Sequence, residues 1–391
     1  MGGWVRWLSD SMSFQLPTMK PAILLTLFAC TTLLAQTAAP KAPAPAKPKG
    51  PAVPADAQWH DVTTWGVEGR GWGDQERKRW YDRLPAKAEK TVTPAVWGLS
   101  RDSAGMMVRF KTDAKAIYTR YQLSKANLSL TAMPATGVSG LDLYARDAKG
   151  QWKWVNCTKP SQQAVEAVVI SDLAPGEHEF AAYLPLYNGI EKLEIGVPKE
   201  AKFEGQAPRE KPIVFYGTSI THGANASRPG MVHTAILGRR LDRPVINIGF
   251  SGNGRMDAAV GDLINELDAA VIVIDCLPNM GPADVTAKCV PLVKQLRSKH
   301  ASTPIILVED RRYTNSWITP AKAKFHDDNH AALKGAFEQL KAENVANLSY
   351  IGGDALYGTD SEGSNDASHG TDLGFIRQAD IFEPVLRAAL K

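Results

Sequence analysis

The chain has 391 residues, 44% hydrophobic and 22% charged, an ordinary globular composition with length for about two domains. A formal net charge of +4 is small for that length, and no basic block is interleaved with aromatics, which argues against nucleic acid as a partner. The four cysteines, Cys30, Cys157, Cys276 and Cys289, show no CxxC spacing, so a disulfide framework is excluded while a Cys276–Cys289 pair stays open.

From Met19 the sequence runs through one lysine, an apolar core and then small residues. This pattern is that of a secretory signal peptide, too short and weakly flanked for a stable membrane span, so no transmembrane domain is expected in the mature chain. Residues 1–18 do not resemble a leader, which points to Met19 as a start, with cleavage after Ala35 or Ala39. Leu27-Phe-Ala-Cys30 loosely resembles a lipoprotein box in which Phe28 fits poorly. Simple export to the periplasm or outside is favoured over a lipid anchor through Cys30. Residues 1–37 are thus extension and leader, and 38–58 an Ala/Pro/Lys tether that cannot bury enough surface to fold.

Residues 59–205 carry short alternating runs, among them Met107-Val-Arg-Phe-Lys, Ala116-Ile-Tyr-Thr-Arg-Tyr-Gln and Lys192-Leu-Glu-Ile-Gly, broken by turn signals. Period-two alternation of this kind predicts an antiparallel β-sandwich. Trp59, Trp65, Trp72, Trp80 and Trp97 crowd its start. They are expected to fill the core and the seam with the next segment, the alternative being a sugar-stacking platform.

In residues 206–391 the rhythm changes to strand then helix. Strands are predicted at 213–217, 245–248, 270–275, 304–308 and 348–351, with amphipathic helices through Val232–Leu241, Met256–Leu267 and Leu333–Leu340. Thr319-Pro320 reads as a cap and first-turn pair, and a last helix from about Thr371 is expected to be interrupted at Pro384. The expected fold class is α/β, a parallel sheet sandwiched by helices and preceded by the antiparallel sandwich.

The first of these strands ends in Gly217-Thr-Ser219, a serine at the carboxyl end of a parallel strand, where open α/β sheets bind ligands. Gly249-Phe-Ser-Gly252-Asn-Gly254 follows the second, Leu277-Pro-Asn279-Met the third, and Asn365-Asp366-Ala-Ser-His369-Gly370 precedes the last helix. Acyl transfer needs this set of groups. His369 can take the Ser219 proton while Asp366 fixes the imidazole tautomer. The amides of Ser219 and Gly252 and the side-chain amide of Asn279 are the natural donors to an oxyanion.

In these four blocks residues 211–391 resemble the SGNH (GDSL-like) hydrolases. Gly140-Leu-Asp-Leu-Tyr144, with Tyr183-Leu-Pro-Leu-Tyr-Asn-Gly189, resembles the Gly-x-Asp-Leu-Tyr β-sandwich module that precedes some of them. The resemblance implies Ser219 as nucleophile, Asp366 and His369 as its partners, and Ser219, Gly252 and Asn279 as the oxyanion hole. Two positions depart from the pattern. Thr218 stands where the family has aspartate, and Gly370 stands where it has proline, giving the loop after His369 more freedom.

Other signals are weaker. His326-Asp-Asp-Asn-His330 has i, i+4 spacing but lacks the glutamate of H-E-x-x-H and reads as a charged helical surface, so no metal is expected. Gly249-x-x-Gly252-x-Gly254 is not in dinucleotide order, and no cofactor is expected. His222 and His233 read as loop and helix-surface histidines, with His222 near enough to Ser219 to line the pocket; Asp354 and Glu362 read as solvated loop carboxylates. The function implied by the family and by the exported layout is a serine esterase acting on an acetylated polysaccharide or oligosaccharide. The alternatives are a lysophospholipase or thioesterase, or a non-catalytic glycan-binding protein.

Overall fold

The computed structural model describes residues 52–391; the leader, Cys30 and most of the tether lie outside the described residues. Among the described residues nine strands precede residue 207: β1 (Gln58–Asp61), β2 (Met107–Thr112), β3 (Ile117–Leu123), β4 (Asp142–Arg146), β5 (Trp152–Cys157), β6 (Ala164–Ile170), β7 (His178–Tyr183), β8 (Ile190–Val197) and β9 (Phe203–Gln206). They form two antiparallel sheets, β1-β8-β3-β6 and β5-β4-β7-β2-β9. Alternate residues point inward, so Phe110, Leu143 and Phe180 of one sheet meet Tyr121, Leu193 and Ile195 of the other in one buried core. Two short helices, α1 (Pro94–Ser100) and α2 (Ala135–Val138), sit in the connections.

Five further strands, β10 (Ile213–Gly217), β11 (Val245–Gly249), β12 (Val271–Asp275), β13 (Ile305–Val308) and β14 (Leu348–Ile351), make a parallel sheet in the order β11-β10-β12-β13-β14. A one-turn helix, α3 (Ser219–His222), follows β10. Helices α4 (His233–Leu241) and α8 (Asp372–Ala389) cover one face, and α5 (Ala258–Ile264), α6 (Pro282–Arg297) and α7 (Pro320–Ala342) the other. Covered on both sides, β10, β11 and β12 are buried at every residue, which is why they read as unbroken apolar runs. Successive strands add to opposite sides of β10, making its carboxyl end the point where the sheet's growth reverses. Gly217 pairs with Gly249 on one side and Asp275 on the other, so three loops leave the sheet at one level.

Three expectations are corrected. Helix α6 has no counterpart among the helices expected from the sequence, and it contains Pro282 and Pro291. Pro282 sits in the first turn, where no N–H is required, and Pro291 faces solvent, where the helix can bend around it. Helix α8 likewise runs through the exposed Pro384 instead of stopping there. At the start of α7, Pro320 takes the first turn, but the Thr319 hydroxyl donates to the Asn315 carbonyl (2.8 Å) and does not cap the helix. Cys276 and Cys289 do not pair; both are free thiols buried in the core.

The segment between β1 and β2 ties the sandwich to the sheet. Trp72 and Trp97 pack into the same core as Ile246, Ile248 and Leu263, and the Trp72 indole N–H donates to the Leu263 carbonyl at 3.0 Å. Buried Arg83 donates to the carbonyls of Leu99 and Asp102 in this segment and to those of Asn247 (3.0 Å) and Gly249 (2.8 Å) at the end of β11. Burial pulls its pKa down to about 10, so it keeps its charge at neutral pH. Trp59, Trp65 and Trp80 are half-buried, with Arg120 over the Trp59 ring and Arg70 over Trp80. Trp72→Ala removes a seam side chain that is 6% exposed and is expected to cost about 3–5 kcal/mol in chemical denaturation. A loss below about 1 kcal/mol would mean that the seam contributes little to stability.

Candidate active site

Ser219 opens α3 because the chain must turn sharply off the end of β10. Thr218, where the family has aspartate, caps that turn, its hydroxyl accepting from the Ile220 N–H at 3.3 Å. Gly223, at φ 109°, ends it. The Ser219 hydroxyl lies 2.8 Å from His369 Nε2, and His369 Nδ1 lies 2.8 Å from Asp366 Oδ2. The imidazole tautomer that suits both contacts donates from Nδ1 to the carboxylate and accepts from the serine at Nε2.

Asp366 is held by more than the histidine. Its Oδ1 accepts the N–H groups of Ser368 (2.9 Å) and His369 (2.7 Å), and Oδ2 also accepts from the Asn225 amide (2.9 Å). Burial alone would raise the carboxyl pKa, but these N–H groups and the His369 ring outweigh it and hold it well below the usual carboxylate range. Ala367, between the two, takes φ 70°, so the turn that aims His369 is strained and must be held from outside. Arg311 does so from behind, donating from Nε to the Ser368 carbonyl (2.6 Å) and from Nη2 to the Ser368 hydroxyl while pairing with buried Asp310. The freedom expected from Gly370 is offset: Gly370 bridges to Ser364, and the Thr371 N–H donates to the Gly363 carbonyl at 3.0 Å.

The other two loops close on the same point. A side chain at Gly254 would stand 1.9 Å from the Gly217 carbonyl oxygen, so only glycine lets the loop after β11 press onto the end of β10. Gly252 takes φ 69° in that loop. Asn279, in the turn after β12, points its amide oxygen at the N–H groups of Gly252 (3.3 Å), Asn253 (3.1 Å) and Gly254 (3.1 Å); the convergence of three donors sets this orientation. The five residues singled out in the sequence therefore lie on loops that meet at one end of the sheet. Asn225 and Arg311 were missed.

The histidine readings need correction. His222 is not a loop-surface residue: it is fully buried, with Nε2 donating to the Leu186 carbonyl (2.7 Å), because α3 packs against the sandwich. His233 is buried among Phe215, Phe375 and Phe382 without a hydrogen-bond partner, and burial pulls its pKa down to about 3. His326 and His330 face the core, not a charged surface: His326 Nε2 accepts the Tyr313 N–H (3.0 Å) and His330 Nε2 donates to the Asp310 carbonyl (2.7 Å). Among the described residues no group of three or more His, Cys, Asp or Glu side chains converges as a metal site. Asp354 is an exposed partner of Arg312 (2.6 Å), and Glu362 is solvated.

Asp275, the last residue of β12, pairs with Gly217 in the sheet and accepts from the Thr221 hydroxyl at 3.3 Å. Burial, reinforced by nearby Asp310, pushes its pKa up to about 8. Between the ordinary carboxylate range and about pH 8, the folded chain holds a proton there that the unfolded chain releases, so this group makes stability fall as pH rises through that window. Asp275→Asn is expected to flatten that slope, with its most favourable effect on Tm near pH 8. An unchanged slope in thermal unfolding across the window would show that Asp275 is ionised in the folded state.

A family model described as GDSL-like lipase/acylhydrolase matches residues 210–387, and one described as the N-terminus of SGNH-hydrolase-type esterases matches residues 57–203. Among curated proteins none matches the chain. A Bacteroides ovatus ATCC 8483 protein assigned to the GDSL-like lipases is 32% identical and superposes with TM-score 0.80 over 85% of this chain and 98% of its own. The salicylyl-acyltransferase SsfX3 of a tetracycline biosynthetic pathway is 18% identical, with TM-score 0.69 over 86% and 98% of the two chains. The acetyl xylan esterase Est2A of the rumen bacterium Butyrivibrio proteoclasticus is 9% identical, with TM-score 0.52 over 85% and 98%. At such identities the last two share the fold alone.

Proposed function

The chain belongs to the GDSL-like lipase/acylhydrolase family, and from that premise we propose that it is an exported serine esterase that removes O-acetyl groups from a polysaccharide or oligosaccharide. The observation that carries the chemistry is the unbroken contact from the Ser219 hydroxyl through His369 to Asp366. His369 takes the serine proton as Ser219 Oγ attacks the ester carbonyl, and Asp366 stabilises the imidazolium that results. The oxyanion is met by the N–H groups of Ser219 and Gly252 and by the Asn279 NH₂. The Gly252 N–H also lies within reach of the Asn279 amide oxygen, at 3.3 Å the longest of that oxygen's three contacts, and is shared between it and the oxyanion. The imidazolium then protonates the departing sugar oxygen as the acyl C–O bond breaks, releasing the sugar hydroxyl, and water activated by His369 releases acetate and restores Ser219.

Exposure of the site supports a large substrate. The side chains of His369 and Asp366 are 28% and 37% exposed, so the relay opens onto the surface and a polymer can reach it. Beside it runs the loop between β13 and α7, whose Thr314 N–H donates to the Ala367 carbonyl (3.0 Å). Three residues on, Trp317 is 76% exposed and Ile318 62%. An indole left in water beside a reaction centre fits a platform for a pyranose ring. Export rests on the leader-like stretch from Met19. Among the described residues no helix is long and apolar enough to cross a membrane.

The test is acetate release from acetylated xylan beside turnover of 4-nitrophenyl acetate and 4-nitrophenyl laurate, with wild type, Ser219→Ala and Trp317→Ala. Ser219→Ala is expected to be inactive on all three. Trp317→Ala is expected to raise KM for the polymer by about 2–10-fold while leaving 4-nitrophenyl acetate unchanged. Preference for laurate, with loss of vesicle binding in Trp317→Ala, would replace the glycan by a lipid. No serine-dependent turnover of any ester would leave a binding protein.

A further inference from the structure

The two backbone N–H groups assigned above to the oxyanion hole stand on different loops, Ser219 on the turn after β10 and Gly252 on the turn after β11. Their spacing must hold to a fraction of an ångström for both to reach one oxygen. A side chain from the sandwich lies across the gap. Tyr187, between β7 and β8, has its hydroxyl 2.6 Å from the Ser251 hydroxyl, one residue before Gly252, and 3.4 Å from the carbonyl oxygen of Ser219. One phenol can make both bonds, donating to the carbonyl and accepting from the serine. We propose that Tyr187 is a positioning residue that sets the distance between the two backbone donors of the oxyanion hole, which makes the sandwich part of the catalytic apparatus.

The surroundings of Tyr187 suit that role. Its ring stacks on buried His222 at 4.1 Å with the planes 9° apart. The loop carrying it is tied at three successive residues. The Leu186 carbonyl accepts from His222 (2.7 Å), the Tyr187 N–H donates to Val138 (3.1 Å), and the Asn188 amide bonds the Lys125 carbonyl and the Ser139 hydroxyl, both at 3.1 Å. Burial, ahead of the effects of Ser251, Asp102 and Arg83, holds the phenol pKa well above its ordinary value, so it stays a donor across the working pH range. His222 is held well below its usual pKa, first by burial and then by Arg83, so the ring beneath Tyr187 stays neutral.

This inference rests on the serine-esterase reading, and the experiment separates the two. Full-chain Tyr187→Phe, Ser251→Ala, the double variant and Ser219→Ala are compared on 4-nitrophenyl acetate, with Tm recorded for each. Tyr187→Phe keeps the ring and its stack, so Tm is expected to stay near wild type. Its kcat is expected to fall about 3–10-fold with KM little changed, because only the aim of the transition-state donors is loosened. Ser251→Ala should fall similarly, and the double variant no further than the worse single, since the bond lost in Ser251→Ala is one of the two lost in Tyr187→Phe. Normal kcat in Tyr187→Phe, fully multiplicative losses, or a rise confined to KM overturns the inference while an inactive Ser219→Ala leaves the serine reading standing. An active Ser219→Ala overturns both.

Discussion

The contact on which the site depends is the pressing of the Gly254 backbone against the Gly217 carbonyl at the carboxyl end of β10. A Cβ at Gly254 would stand 1.9 Å from that oxygen, and one at Gly217 would stand 2.0 Å from Thr221 Oγ1. Two glycines therefore let three segments converge: the serine turn, the loop after β11 and, through the bonds to Asn279, the turn after β12. Parallel register brings these loops to one level, and the missing side chains let them touch. An oxyanion hole assembled from separate loops needs this closeness, because each donor must be in place before charge develops.

Around that contact the protein uses polar side chains as braces, Arg83 and Arg311 buried and Asn225 half-buried. Arg83 reaches from the sandwich side to the last carbonyls of β11, Arg311 holds the Ser368 end of the histidine turn, and Asn225 supports the carboxylate of Asp366. The two arginines fill carbonyl valences that would otherwise be costly to leave unpaired away from water. Arg311 and Asn225 also hold the residues on either side of Ala367, countering a left-handed backbone that nothing in its own side chain favours. The sandwich is thus more than an appended module. It covers one flank of the sheet with Trp72 and Trp97, and it sends Arg83 and Tyr187 into the loops of the other half.

What the sequence reveals follows from how local each feature is. Strands β10 and β12 are legible because burial on both faces turns them into continuous runs such as Ile213-Val-Phe-Tyr and Val271-Ile-Val-Ile. Ser219, Asp366 and His369 stand out because few residue types can do their chemistry and they occur in order on loops. Helix α6 is hidden by two prolines whose harmlessness depends on where they face. The braces are hidden more deeply. Arg311 lies 57 residues from Ser368, Tyr187 lies 64 from Ser251, and Asn225 lies 141 from Asp366, so no local pattern joins them. His222, His233 and His326 mislead for the opposite reason: a lone polar residue reads as surface, and only the packing of neighbouring elements shows it to be enclosed.

The claim on which the rest stands is that Ser219 is the residue made nucleophilic by His369. The most direct measurement is intact-mass spectrometry with peptide mapping after treatment of the full chain with a small fluorophosphonate, which reacts with an activated serine hydroxyl. The expected result is a single adduct on Ser219 in wild type, matched by loss of esterase turnover, and none in His369→Ala. An adduct on another residue, or equal labelling of Ser219 without His369, would contradict it.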